Sequence, residues 1–342
     1  MKTCFIKRAL LAGALLAATL TAGGVADGAF AASGPAAATA AAAGTLFVTN
    51  SGDNTVTVYG ISASGDAKPT KSIAKGLEGP NGDAFDSAGD LWVASANTNK
   101  LSEYTARLLS TASPKPKIVI SAGRAHNLNS VDRIAFDAAG DLWADNMSSS
   151  TLVEYSKGEL LHTGAPTPKV TISSDSKNSL GSPSGETFDS SGDLWVSNLT
   201  AQSVVEYTPA QLTKSGPTTP AVTISTGKVT PGGLAFDAAG GLWVANAAGF
   251  SVVHYARTQL VTSGSPRPSI TISASPASFA LSGPTGIAFD GAGDLWVTGR
   301  DGNAVTEFGP SELARSGTPK PIDTIIGPMT GLNTPISLAI RH

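Results

Sequence analysis

Cysteine is almost missing from this chain of 342 residues: the single one, Cys4, stands ahead of an apolar run from Ala9 to Leu20. A lone thiol in that position excludes a disulfide framework, a thiolate metal cluster and a cysteine nucleophile from anything downstream. Histidine is scarce too. The four present, His126, His162, His254 and the terminal His342, leave no multi-histidine zinc site. Charged residues make up only 14% of the chain, 23 basic against 26 acidic. Lys2, Lys7 and Arg8 precede the apolar run, so the remainder is more acidic still, which argues against nucleic acid or an anionic membrane surface as partner. After Leu20 no apolar run is long enough to span a bilayer. Nucleotide-binding loops, G-x-S-x-G elbows and H-E-x-x-H helices are likewise missing from any supporting context.

What is present begins with a leader. Three basic residues, the Ala9 to Leu20 run and Ala29-Phe30-Ala31 have the layout of a secretory signal peptide over residues 1–31. The expectation is export, as a secreted or periplasmic protein. Residues 32–44 are alanine-rich and read as a disordered spacer.

From residue 45 the chain repeats. FDSAGDLWVAS from Phe85 recurs as FDAAGDLWADN from Phe136, FDSSGDLWVSN from Phe188, FDAAGGLWVAN from Phe236 and FDGAGDLWVTG from Phe289. All five tryptophans, Trp92, Trp143, Trp195, Trp243 and Trp296, hold one position, 51, 52, 48 and 53 residues apart. Each unit runs P-x-G, F-D-x-x-G-D-L-W-V, an alternating stretch ending Glu-Tyr, Leu-x-x-Ser-Gly, then Pro-x-x-x-Ile-Ser. These segments read as four short strands per ~50 residues, which describes a blade of a β-propeller. Leu46-Phe47-Val48-Thr49-Asn50 and Thr334 to Ile340 are complementary halves of one more blade. Joining them closes a ring and removes two sheet edges.

The expectation is therefore an all-β, six-bladed propeller over 45–342, with whole repeats near 80–128, 129–180, 181–229, 230–281 and 282–328. The split blade is 45–79 plus 329–342. The P-x-G-I-A-F-D and L-W-V-A-N segments resemble NHL-repeat six-bladed propellers, a group that includes lactonases, lyases and binding platforms.

Asp86 and Asp90, with a small-residue turn between them, recur around the ring, so their repetition assigns them to turn chemistry. Function belongs where the repeats disagree. Two residues after the P-x-G residue x, the innermost strand carries Ile134, Leu234, Ile287 and Leu338 in four blades but Asp83 and Glu186 in two. With Asn81, Asp132 and Arg133, these make a charged group on three consecutive blades, and His126 lies in a longer entry loop above them. Three arrangements account for the group: an Arg133–carboxylate pair lining a wet channel, a hard cation such as Ca²⁺, or a hydrolytic or lyase centre.

Pro80-Asn81-Gly82 is also similar to a strand start of the gluconolactonase and senescence-marker-like propellers, which hold a metal at the channel through Glu, Asn and Asp. That resemblance implies Asn81 as a metal ligand, with Asp83, Asp132 and Glu186 as the acids available beside it. The acidic strand start of those families is missing at Pro335-Ile336-Ser337. His126 is the one possible counterpart of the catalytic histidine in antibiotic-lyase propellers. The chain thus reads as a monomeric binding platform for a small polar molecule, a glycan or a protein segment. A divalent-metal-dependent hydrolase or lyase is the alternative.

Overall fold

The computed structural model describes residues 44–124, 127–274 and 281–342. The expected signal peptide, nearly all of the spacer, and His126 lie outside them. From Gly44 onward the chain forms six antiparallel blades. Blade 1 joins Pro335–Arg341 to Thr45–Asn50, Thr55–Gly60 and Lys71–Ile73. Blade 2 is Pro80–Phe85, Leu91–Ser95, Lys100–Tyr104 and Ile118–Ser121; blade 3 is Val131–Phe136, Leu142–Asn146, Thr151–Tyr155 and Val170–Ser173. Blade 4 is Pro183–Phe188, Leu194–Asn198, Ser203–Tyr207 and Val222–Ser225; blade 5 is Pro231–Phe236, Leu242–Asn246, Ser251–Tyr255 and Ile270–Ser273. Blade 6 is Pro284–Phe289, Leu295–Gly299, Ala304–Phe308 and Asp323–Ile326. The first strand of every blade touches the first strands of both neighbours, so six of them enclose a central axis. The six-bladed propeller expected from the repeats, closed by the C-terminal strand, is what the chain builds. Among the described residues no helix is long and apolar enough to cross a membrane.

The conserved letters of the repeat each have a packing reason. The tryptophans are buried between blades: Trp92 packs edge-on against Phe136, Trp195 against Phe236 and Trp243 against Phe289 of the following blade. Phe47 meets Phe85 in the same way at 5.0 Å. Edge-to-face pairs of this kind stabilise by about 0.5–1.5 kcal/mol beyond their buried area. Glycine is required in P-x-G because the first strands crowd the axis. A Cβ on Gly185 would stand 2.3 Å from the Gly232 carbonyl oxygen, and one on Gly286 2.7 Å from Ser337 Cα.

The F-D turn is a local cap. Asp86 Oδ1 accepts from the amides of Ala88 and Asp90 at 2.9 and 3.0 Å, and Asp137, Asp189, Asp237 and Asp290 repeat both bonds. Gly89 in that turn has φ 76°, a left-handed conformation that glycine adopts without strain. The asparagines that end the second strands fasten the entry loops. Asn146 Oδ1 accepts from Asn129 N at 2.8 Å and Asn198 Oδ1 from Gly181 N at 3.0 Å.

The Leu-x-x-Ser-Gly segment clasps the previous blade. Gly264 N donates to Thr223 O and Ser225 N donates back to Gly264 O, while Ser263 Oγ accepts from Thr223 N. Gly317 with Ser316 does the same on blade 5. These clasps cover outer edges that would otherwise pair with other chains.

Candidate functional site at the channel

The first strands slip register near their starts in blades 2 to 6. Such bulges re-aim local groups. Here the carbonyl of residue x is met by the neighbouring blade's hydroxyl. Asn81 O accepts from Thr49 Oγ1 at 3.0 Å, Gly232 O from Ser197 Oγ at 2.7 Å and Ile336 O from Thr298 Oγ1 at 3.2 Å. The result is a collar of carbonyl oxygens around the axis.

Arg133 reaches across this collar. Its Nη1 donates to Asn81 O, Asp132 O and Asp132 Oδ1 at 3.3, 3.4 and 3.2 Å, and its Nη2 to Thr285 O and Ile336 O at 3.4 and 3.1 Å. Those acceptors belong to blades 2, 3, 6 and 1, so one planar guanidinium ties four blades together. Asn81 Nδ2 completes the group with a 2.8 Å bond to Asp132 Oδ1.

Around this cation the acids are in excess. Asp83 and Glu186 are 7% and 8% exposed, and neither carboxylate makes a hydrogen bond of acceptable geometry. Asp145, with no exposed surface, accepts from the amides of Asp132 and Arg133 through Oδ1 at 3.1 and 2.8 Å, while its Oδ2 has no partner. Burial pushes Asp83 up to about 7, although the Ser337 hydroxyl and the Arg133 charge both favour its ionised form. Burial, reinforced by Asp145, holds Glu186 well above the usual carboxylate range. Burial and the nearby Asp132 do the same to Asp145. Asp132 is raised by burial, against the pull of Arg133.

Asn81, Asp132 and Arg133 thus form one hydrogen-bonded group, with Asp83 and Glu186 beside it and without bonds to it. Asp145 is a member that the sequence reading missed. LWADN places an acid where the other blades carry Thr49, Ala94, Ser197, Ala245 and Thr298, so the contrast between blades was there to be read. Among the described residues, the places where three acidic or imidazole ligand atoms converge lie elsewhere, at the F-D turns.

At that opposite end of the strands, Asp86 and Asp90 meet Glu103, Asp137 and Asp141 meet Glu154, and Asp290 and Asp294 meet Glu307. The glutamate slot on the third strand is covered in these two blades: Glu103 is 5% and Glu154 3% exposed. It is directly paired across the ladder with the tryptophan, as at Trp92 and Glu103, so it shares the space between blades. Burial pushes Glu103, Glu154, Glu206 and Glu307 up to about 7. His254 fills the same slot in blade 5, stacked 4.8 Å from Trp243 with its Nε2 3.2 Å from Asp237 Oδ2. Its side chain is 12% exposed, so it too is no surface residue. Inter-blade clefts open at this end, one lined by Asp189, Trp195, Glu206, Phe236 and Arg257.

No protein-family model matches the chain, and no curated protein matches it in sequence. Solved structures do match. A chain of a nidogen–laminin complex superposes with TM-score 0.60 at 14% identity, over 87% of this chain and 98% of that one. A 6-phosphogluconolactonase-like protein from Bacteroides uniformis gives 0.57 at 14%, over 87% and 99%. A catalytically inactive virginiamycin B lyase from Staphylococcus aureus with quinupristin gives 0.51 at 16%, over 75% and 73%. At such identities the likeness is one of fold.

Proposed function

We propose that the chain is an exported binding module whose channel face captures a polar ligand bearing a positive charge or several hydrogen-bond donors. One observation carries this reading: Asp83 and Glu186 are buried carboxylates to which no neighbour, the Ser337 hydroxyl and nearby backbone amides included, donates a well-formed hydrogen bond, beside a single guanidinium already committed to Asp132 and four backbone carbonyls. Buried acceptors left open cost stability, and a donor-rich ligand is the kind of group that relieves the cost. The fold's neighbours, one from a nidogen–laminin complex and one with quinupristin, illustrate the range of ligands that such a scaffold accepts.

The test is a thermal-shift screen of amines, amino sugars, glycans and cationic peptides, repeated on the Asp83→Asn, Glu186→Gln double variant. A ligand at 100 times its dissociation constant stabilises the native state by about 2.7 kcal/mol. The reading expects shifts that vanish in the double variant. Shifts that persist unchanged place the ligand elsewhere and reject it.

A further inference from the structure

We propose that blade 2 holds a divalent-cation site, of the calcium class, formed by Asp86, Asp90 and Glu103 at the end of the strands away from the channel collar. Ligand oxygens of the three carboxylates lie within 4.8 Å of one another. Oxygens bound ~2.4 Å from a shared calcium ion stand at most about 4.8 Å apart, and three evenly spread ones about 4.2 Å, so side-chain shifts of about a few tenths of an ångström bring all three onto one ion, with water completing its shell. Hard, carboxylate-only donors favour calcium, magnesium or manganese over zinc or copper.

The turn chemistry leaves the needed atoms open. Asp86 uses Oδ1 for the amides of Ala88 and Asp90, and Asp90 uses Oδ1 for the amide of Ala106 at 2.7 Å. Their Oδ2 atoms remain. Glu103 is 5% exposed and its Oε2 has no hydrogen bond; Lys117 Nζ stands 3.9 Å away on a side chain 57% exposed.

The other blades show why this one differs. In blade 3 the equivalent acids already hold a cation: Lys169 Nζ sits 2.7 Å from Asp141 Oδ2 and 2.6 Å from Glu154 Oε1. Asp290, Asp294 and Glu307 of blade 6 converge as well, but there and in blade 4 the tryptophan Nε1 donates to Oδ2 of Asp290 and Asp189, whereas Trp92 Nε1 makes no such bond to Asp86. Blade 5 has Gly241 and His254 in place of two of the acids. Blade 3 therefore demonstrates inside the molecule that this three-acid niche takes a positive charge, whereas in blade 2 the equivalent ammonium, Lys117 Nζ, stands off at 3.9 Å from Glu103 alone, beyond hydrogen-bond reach.

The full chain is titrated with CaCl₂ by calorimetry and with Tb³⁺ by tryptophan-sensitised luminescence. We expect one ion per chain, at least tenfold weaker binding in Glu103→Gln, and a second ion in Lys169→Ala, which empties the blade 3 niche. Retained melting of both variants shows that they are folded. No binding at millimolar calcium, binding indifferent to Glu103→Gln, or a stoichiometry that stays at one in Lys169→Ala overturns the assignment.

Discussion

At the scale of single residues, Arg133 has the largest structural duty in the channel. It is 8% exposed and touches four blades, and its removal leaves Asp132, Asp83, Glu186 and Asp145 without a counter-charge. Breaking a buried ion pair from one side costs about 3–5 kcal/mol. Arg133→Ala is expected to lose stability on that order in urea denaturation at pH 7, and less at pH 4, where the raised acids carry less negative charge. An equal loss at both pH values would mean that packing, not charge, is what Arg133 supplies. The sequence made this residue visible, with Asp83 and Glu186, because each departs from an aliphatic or small residue in sister blades. Asp145 obeys the same rule, standing where the sister blades carry Thr49, Ala94, Ser197, Ala245 and Thr298. Glu103 was hidden from it: a glutamate on a third strand looks solvent-facing until the ladder sets it beside Trp92 under the next blade.

At the scale of the element, the blade-to-blade contacts account for the recurring letters. Trp195 joins Val204, Leu242, Val253 and Tyr255 in a core cluster that spans blades 4 and 5. Trp195→Ala is expected to cost about 3–5 kcal/mol in chemical denaturation, from lost contacts and the cavity left behind. The Ser-Gly clasp is a smaller effect. Ser263→Ala removes the acceptor for Thr223 N and should cost about 0.5–1.5 kcal/mol, with faster hydrogen exchange at that amide as its local signature. The strands and their order were legible in the repeat, whereas this clasp was not. A one-residue parallel bridge to a neighbouring blade leaves no periodicity to detect.

At the scale of the whole molecule, closure depends on seven residues from the far end of the chain. Pro335–Arg341 pairs with Thr45–Asn50, with a register slip at Asn50, and places Ile336 and Ser337 in the channel collar. A chain truncated after Thr334 should leave Thr45–Asn50 as an unpaired strand edge and elute from gel filtration as aggregate rather than as the intact species. The ring also separates two kinds of acidity. One set is repeated at the F-D turns and caps them; the other is confined to the channel of blades 2, 3 and 4, where Asp132 and Asp145 hold the collar and Asp83 and Glu186 cap nothing.

That second set decides the account, since carboxylates kept for a ligand destabilise the empty protein, whereas carboxylates kept for structure stabilise it. The direct measurement is unfolding free energy against pH for the native chain and the Asp83→Asn, Glu186→Gln double variant. Asp83 is raised from an ordinary 3.8 to about 7, and Glu186 also lies above its ordinary value. Between those limits the folded state binds more protons than the unfolded one, so native stability must fall as pH rises from about 4 to about 7. The account predicts a flatter profile for the double variant, which matches the native chain near pH 4 and exceeds it at pH 7. A double variant less stable than the native chain at pH 7 would show that the two carboxylates hold the ring together, and would contradict their role as a binding site.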